Sequence, residues 1–223
     1  MKHAVWYATT AMLTVCALGG AIGAARPAMA QEAGEINRTL LAAAKDGDRA
    51  SAIAALDHGA AVDSATRIGD TPLLTACKTG DTEMARMLIE RGANVKHANA
   101  SGVTPMMAAA YGGYDAIVAL LLARGADPLA TDRVGKTAME YAAGQGQTQV
   151  VKQLLDTGID VNRRYKNDLT ALMWAAGYDR ADTVKLLLAR GADESLTDNR
   201  GMAAKDIAVQ TQSNQVVNLL SVH

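Results

Sequence analysis

The chain contains no phenylalanine, and aromatic residues make up only 4% of its 223 positions. A core built around stacked rings is therefore excluded, and small side chains must do most of the packing. Cysteine is nearly as scarce. Cys16 and Cys77 form no CxxC pair, which excludes a metal ribbon and a dithiol redox motif. Four prolines and 20 glycines are too few for a disordered low-complexity chain. The net charge of −1 supplies no basic footprint, so nucleic acid is not an expected partner. Beyond residue 30 only His58, His97 and His223 are histidines, and none stands at ligand spacing from another histidine or a cysteine. No HExxH, GxSxG or phosphate-loop motif occurs. The chain thus reads as non-catalytic, with no cofactor and no metal site. His58 and His97 read as surface or loop residues.

What is present is apolar and small. Hydrophobic residues reach 49% and charged residues 20%, enough to bury a core. The first thirty residues stand apart. Lys2 provides a positive start, Ala4 to Ala25 carry no charge, and "AMA" at Ala28 to Ala30 places small residues at the two positions a signal peptidase reads. The expectation is a secretory signal over 1–30, cut after Ala30, with export to the periplasm or the medium. The apolar stretch is also long enough to be a retained anchor, and that alternative stays open. "LTVC" ending at Cys16 lacks the small residue a lipoprotein signal places before its cysteine. Cleavage leaves Cys77 alone, unable to form an internal disulfide, and it reads as a buried small hydrophobe.

The remainder is periodic. Thr71, Thr104, Thr137 and Thr170 recur every 33 residues. Gly69, Gly102, Gly135 and Gly201 precede the corresponding positions by two, with Asp168 in the fourth copy. Each unit closes on a Leu-rich run and a glycine: "MLIERGANV", "LLLARGADP", "QLLDTGIDV" and "LLLARGADE". Several landmarks sharing one period mark a repeat architecture. The threonines are placed to cap a helix, with Pro72 and Pro105 at the first helical position, where a missing N–H is harmless. Leu88, Leu121, Leu155 and Leu188 form the apolar stripe of a second helix. Ala76, Ala109, Ala142 and Ala175 let the first helix approach its neighbour. Asp127, Asp160 and Asp193, with Asn94 in register, read as turn caps and not as acid–base pairs.

The pattern T-P-L-x-x-A, then Gly, then L-L-x-x-G-A-D-V resembles the ankyrin repeat, here of an exported bacterial type. The resemblance implies an all-α ankyrin-repeat solenoid of helix-turn-helix units with short β-hairpin tips. It covers 31–223 as an N-cap repeat at 34–65, full copies at 66–98, 99–131, 132–164 and 165–197, and a shortened C-cap at 198–223.

It also implies a protein partner, bound by the tips and by the concave side of the first helices. The corresponding candidates are Arg67, Lys78, Tyr111, Arg133, Lys136, Arg163, Arg164, Tyr165, Lys166 and Tyr178. "NRRYKND" concentrates charge around Tyr165 in one tip, either as a contact or as a solvated loop. Tyr141 and Trp174 stand where a leucine is usual, and are expected to pack between copies with one edge exposed. The implied role is an exported scaffold that binds, protects or inhibits an envelope enzyme; the alternative is a secreted module acting on a host protein. No membrane contact is expected after cleavage, and the expected state is a monomer or weak oligomer.

Overall fold

The computed structural model describes the backbone of residues 21–220 and the side chains of residues 31–220. Residues 1–20 of the expected signal, Cys16 included, lie outside the described residues. So do the side chains of 21–30, where the expected cut falls, and residues 221–223.

Among the described residues the chain folds into paired helices. The first pair is α1 (Ala21–Asp46) and α2 (Arg49–Asp57). Then come α3 (Pro72–Thr79) with α4 (Thr82–Glu90), and α5 (Pro105–Gly112) with α6 (Asp115–Ala123). They are followed by α7 (Ala138–Gln145) with α8 (Thr148–Asp156), and α9 (Ala171–Gly177) with α10 (Ala181–Ala189). The last pair is α11 (Ala204–Gln210) with α12 (Asn214–Leu219). The helix of the first unit begins upstream of residue 34, where the 33-residue period starts the copy.

Contacts follow chain order. The odd-numbered helices pack in one row, α1 to α3 to α5 to α7 to α9 to α11, and the even ones from α4 to α12 in a second row behind them. This is the two-layer stack of a solenoid, in which each unit completes the core of the next. The core repeats with the sequence. Leu73, Met106, Met139 and Leu172 are fully buried, as are Ala76, Ala109, Ala142 and Ala175. The alanines sit where successive first helices touch. Cys77 is buried among them, and burial raises its thiol pKa well above the ordinary value.

Helix starts follow the expected chemistry. The Thr71, Thr104 and Thr170 hydroxyls accept from the amides of Leu74, Met107 and Met173 at 3.2, 3.3 and 3.3 Å. The four recurrent Asx residues cap their turns in one way. Asn94, Asp127, Asp160 and Asp193 accept from the amide two residues on, at 2.8–2.9 Å.

The tips depart from the expected β-hairpins: among the described residues there is only an isolated bridge between Thr197 and Ala203. The reason is a side chain that intervenes. In each tip the first amide donates to the fifth carbonyl, as Asn99 to Val103 and Asp132 to Lys136. The fifth amide does not return that bond. In four of the five tips it donates to the first residue's side chain: Thr66 Oγ1, Asn99 Oδ1, Asp132 Oδ1 or Asp198 Oδ1, at 2.9–3.1 Å. Without reciprocal backbone bonds no strand pair is registered.

Successive tips join edge to edge. Ala100 N donates to Ile68 O, Arg133 N to Ser101 O and Asn199 N to Asn167 O, at 2.9–3.0 Å. Gly102 shows why this edge demands glycine. Its φ is +78°, and a Cβ there would stand 2.8 Å from the Arg133 amide nitrogen.

The fourth tip is built differently. Tyr165 replaces the Asx or threonine, so its side chain caps no amide there, and Asp168 replaces the glycine. Lys166–Asp168 tighten into a 3₁₀ turn with Asn167 and Asp168 both left-handed, at φ +60° and +59°. The carbonyl of Val134, which would join the third tip to the fourth, is taken by the Lys166 ammonium at 3.0 Å.

The last unit ends the core. Lys205 and Asp206 occupy the positions that Leu172 and Met173 fill one copy earlier, and both are exposed. Val209 is 57% exposed.

Candidate functional site

Two aromatic pairs lie on the first-helix face. Tyr111 on α5 meets Tyr141 on α7 edge to face, with ring centres 6.0 Å apart. Trp174 and Tyr178, one helical turn apart at the end of α9, stack in near-parallel planes at 6.0 Å. Lys136, from the third tip, joins them. Its ammonium sits 4.3 Å from the centre of the Trp174 ring and 5.6 Å from that of Tyr141. Three successive copies thus share one continuous aromatic patch centred on a cation. Such an arrangement contributes about 0.5–2 kcal/mol, depending on how far the cation is desolvated. Tyr141 and Trp174 are half-buried between copies, as the sequence predicts, whereas Tyr111 and Tyr178 stay 54% and 52% exposed.

The patch rests on buried carboxylates. Asp132 is buried and accepts from the amides of Val134 and Lys136 and from the Tyr141 hydroxyl, the last at 2.5 Å. Burial raises the Tyr141 hydroxyl pKa, and the bond to Asp132 raises it further. Glu140 is only 2% exposed. It occupies the position that Leu74, Met107 and Met173 fill in the other full copies. One of its oxygens accepts from the Thr137 amide at 2.7 Å and hydroxyl at 3.1 Å; the other, Oε1, has no partner. Burial pushes the Glu140 carboxyl up from its ordinary value, against the lowering effect of Thr137 and nearby Lys136. Trp174 Nε1 is likewise buried without a partner.

The remaining candidates separate into free and engaged groups. Arg67 and Arg133 are exposed at their tips. Lys78 is drawn into an ion pair with Asp70 at 2.5 Å. Arg163 is exposed, with its guanidinium 6.0 Å from the centre of the Tyr165 ring. Arg164 donates to the Thr197 carbonyl at 2.8 Å, and Lys166 to Val134 as described. Tyr165 is half-buried and packs against the core, and burial raises its hydroxyl pKa. It anchors its tip and offers little ring to a partner. His58 is exposed, while His97 is half-buried with Nε2 3.1 Å from the Gly69 carbonyl. Among the described residues no cluster of histidine, cysteine or carboxylate groups is arranged to hold a metal. Among them, too, no helix is long and apolar enough to cross a membrane.

Glu140 is the feature that sequence reading misses. Its signal is nonetheless present: a charged residue in register with leucine and methionine in the sister copies. Lys136 is legible as a tip cation, but its seat between two rings of different helices is not.

The sequence matches the family model described as ankyrin repeats (3 copies) over residues 40–132 and 140–223. A search of curated proteins returns no match.

Proposed function

Because the chain belongs to the ankyrin-repeat family, a family of protein-binding scaffolds, we propose that it captures a partner protein through the first-helix face of the copies spanning 99–197. One observation carries this reading: Tyr111 and Tyr178 stay more than half exposed on a face where most large apolar side chains are buried. Aromatic and arginine side chains dominate the energy of protein interfaces, and exposed ones grouped on a rigid scaffold are suited to that role. Ankyrin repeats are in general binding modules, and the role we assign is binding without turnover.

The leader-like sequence over 1–30 supports an exported scaffold that binds, protects or inhibits an envelope enzyme. A secreted module acting on a host protein is the alternative. Cell fractionation separates them, since the first is retained in the periplasm and the second is released. The binding role is tested by crosslinking in the native envelope. The double variant Tyr111→Ala/Tyr178→Ala should lose the crosslinked partner by about 100-fold. Equal recovery by wild type and variant removes this face from consideration.

A further inference from the structure

We infer that the partner segment seated on this patch is extended and acidic, and that it carries an aromatic side chain. The inference rests on the scaffold reading above and adds the chemistry of what is bound.

The charge facing a partner is one-sided. In the third and fourth tips and the turn leading into the fourth, Arg133, Arg163, Arg164 and Lys166 are exposed against two exposed carboxylates, Asp168 and Asp160, the latter engaged by the Asn162 amide. The other two acids of the patch, Asp132 and Glu140, are buried. Arg133 is the most available cation. No ion pair or hydrogen bond engages its guanidinium among the described residues, leaving the whole donor fork for a carboxylate. Lys136 lies against two rings and so has lost part of its water. Its attraction for an incoming anion is correspondingly stronger than that of a fully solvated ammonium.

The rings supply the second requirement. Tyr111 and Tyr178 flank Lys136 at the two ends of the patch, and both are open to solvent. An aromatic side chain between two carboxylates would stack on either ring while its neighbours reach the tips. Packed helices of successive units lie about 8–10 Å apart, and an extended chain advances about 3.3 Å per residue. Carboxylates about three positions apart therefore match one tip and the next.

The same ingredients, cations and rings, also hold single-stranded nucleic acid. That reading is disfavoured because the cations do not continue along the stack. The second tip, Asn99 to Val103, carries no charge, and the chain as a whole is net negative. A polyanion tracking the edge would lose its contacts beyond two copies.

The experiment is a fluorescence-anisotropy titration of the full chain with three labelled probes: a random Glu–Tyr copolymer, poly-glutamate and oligo-dT. The copolymer should bind about tenfold or more tightly than poly-glutamate, and oligo-dT more weakly than either. Arg133→Glu and Tyr178→Ala should each weaken copolymer binding by about tenfold or more. Arg133 is exposed and unpaired, so its variant should melt as wild type does. Tyr178→Ala loses its stack on Trp174, about 0.5–1.5 kcal/mol, and should stay folded with a melting temperature lower by a few degrees. The inference is overturned if the copolymer does not bind, if the variants bind it as wild type does, or if oligo-dT binds at least as tightly. Should the copolymer fail while crosslinking still depends on Tyr111 and Tyr178, the acidic chemistry is wrong and the scaffold reading stands. If crosslinking is indifferent too, both fall.

Discussion

Replacing Glu140 with methionine should stabilise the protein near neutral pH, although it removes a charged cap at a helix start. The magnitude follows from the surroundings. Oε1 is a buried carboxylate oxygen without a partner, and leaving such a group unsatisfied costs about 1–3 kcal/mol. A methionine there restores the apolar residue that Met107 and Met173 provide in the neighbouring copies, and burying it contributes about 1.5–3 kcal/mol. Against this, the two bonds from Thr137 are lost, about 1–2 kcal/mol in total. Part returns if the methionine sulfur accepts from Thr137 as Met173 Sδ does from the Thr170 amide, at 3.5 Å. The net expectation is a gain of about 1–4 kcal/mol, at about 2–4 °C in melting temperature per kcal/mol for a chain of this size.

The pH dependence gives the sign a second check. Burial raises the folded-state pKa of Glu140 above its ordinary 4.5. The native protein then holds this proton at pH values where the unfolded chain has released it. The wild type therefore carries its full penalty above the raised pKa and sheds it as pH falls toward about 4.5. The advantage of the methionine variant should shrink over that interval. Urea unfolding of both proteins at neutral and at mildly acid pH measures it. A variant less stable than wild type at neutrality, or a difference that ignores pH, would refute the reasoning.

Three further outcomes are expected. A double-mutant cycle of Lys136→Met with Trp174→Leu should give a coupling of about 0.5–2 kcal/mol by chemical denaturation; additive effects would mean that the ammonium gains nothing from the ring. Gly102→Ala should cost about 2 kcal/mol or more, because a Cβ meets the backbone of the next tip at 2.8 Å and φ is +78°; a shift in melting temperature within error would contradict the shared tip edge. Asp168→Gly should stabilise by about 0.5–1 kcal/mol, since it relieves a left-handed non-glycine residue at φ +59° while loosening the unfolded chain; a loss of stability would show that the aspartate itself holds the fourth tip.

The repeat was legible because its landmarks are local. A threonine caps the helix that begins beside it, and an Asx residue bonds the amide two positions on, so a single strand of text carries both. The strandless tips were less legible. They depend on a side chain competing for one amide, and only the identity of Thr66, Asn99, Asp132 and Asp198 hints at it. The site was legible by residue type but not by arrangement. Tyr111 and Tyr178 were readable as exposed from their register, yet Tyr165 packs inward because its tip lacks the Asx side chain and closes into a 3₁₀ turn. Lys136 and Trp174 are 38 positions apart, and only the stacking of α7 against α9 brings an ammonium over that ring. The same stacking buries Glu140, which only the register with Leu74, Met107 and Met173 hints at.

Lys205 and Asp206 decide how this scaffold can be lengthened. A further unit stacked beyond α11 would have to take two charged side chains out of water, where the earlier full copies offer leucine or methionine at both positions, Glu140 alone excepted. Grafting another copy onto that end accordingly begins with those two codons, and a design that leaves them unchanged should yield an added segment that stays undocked.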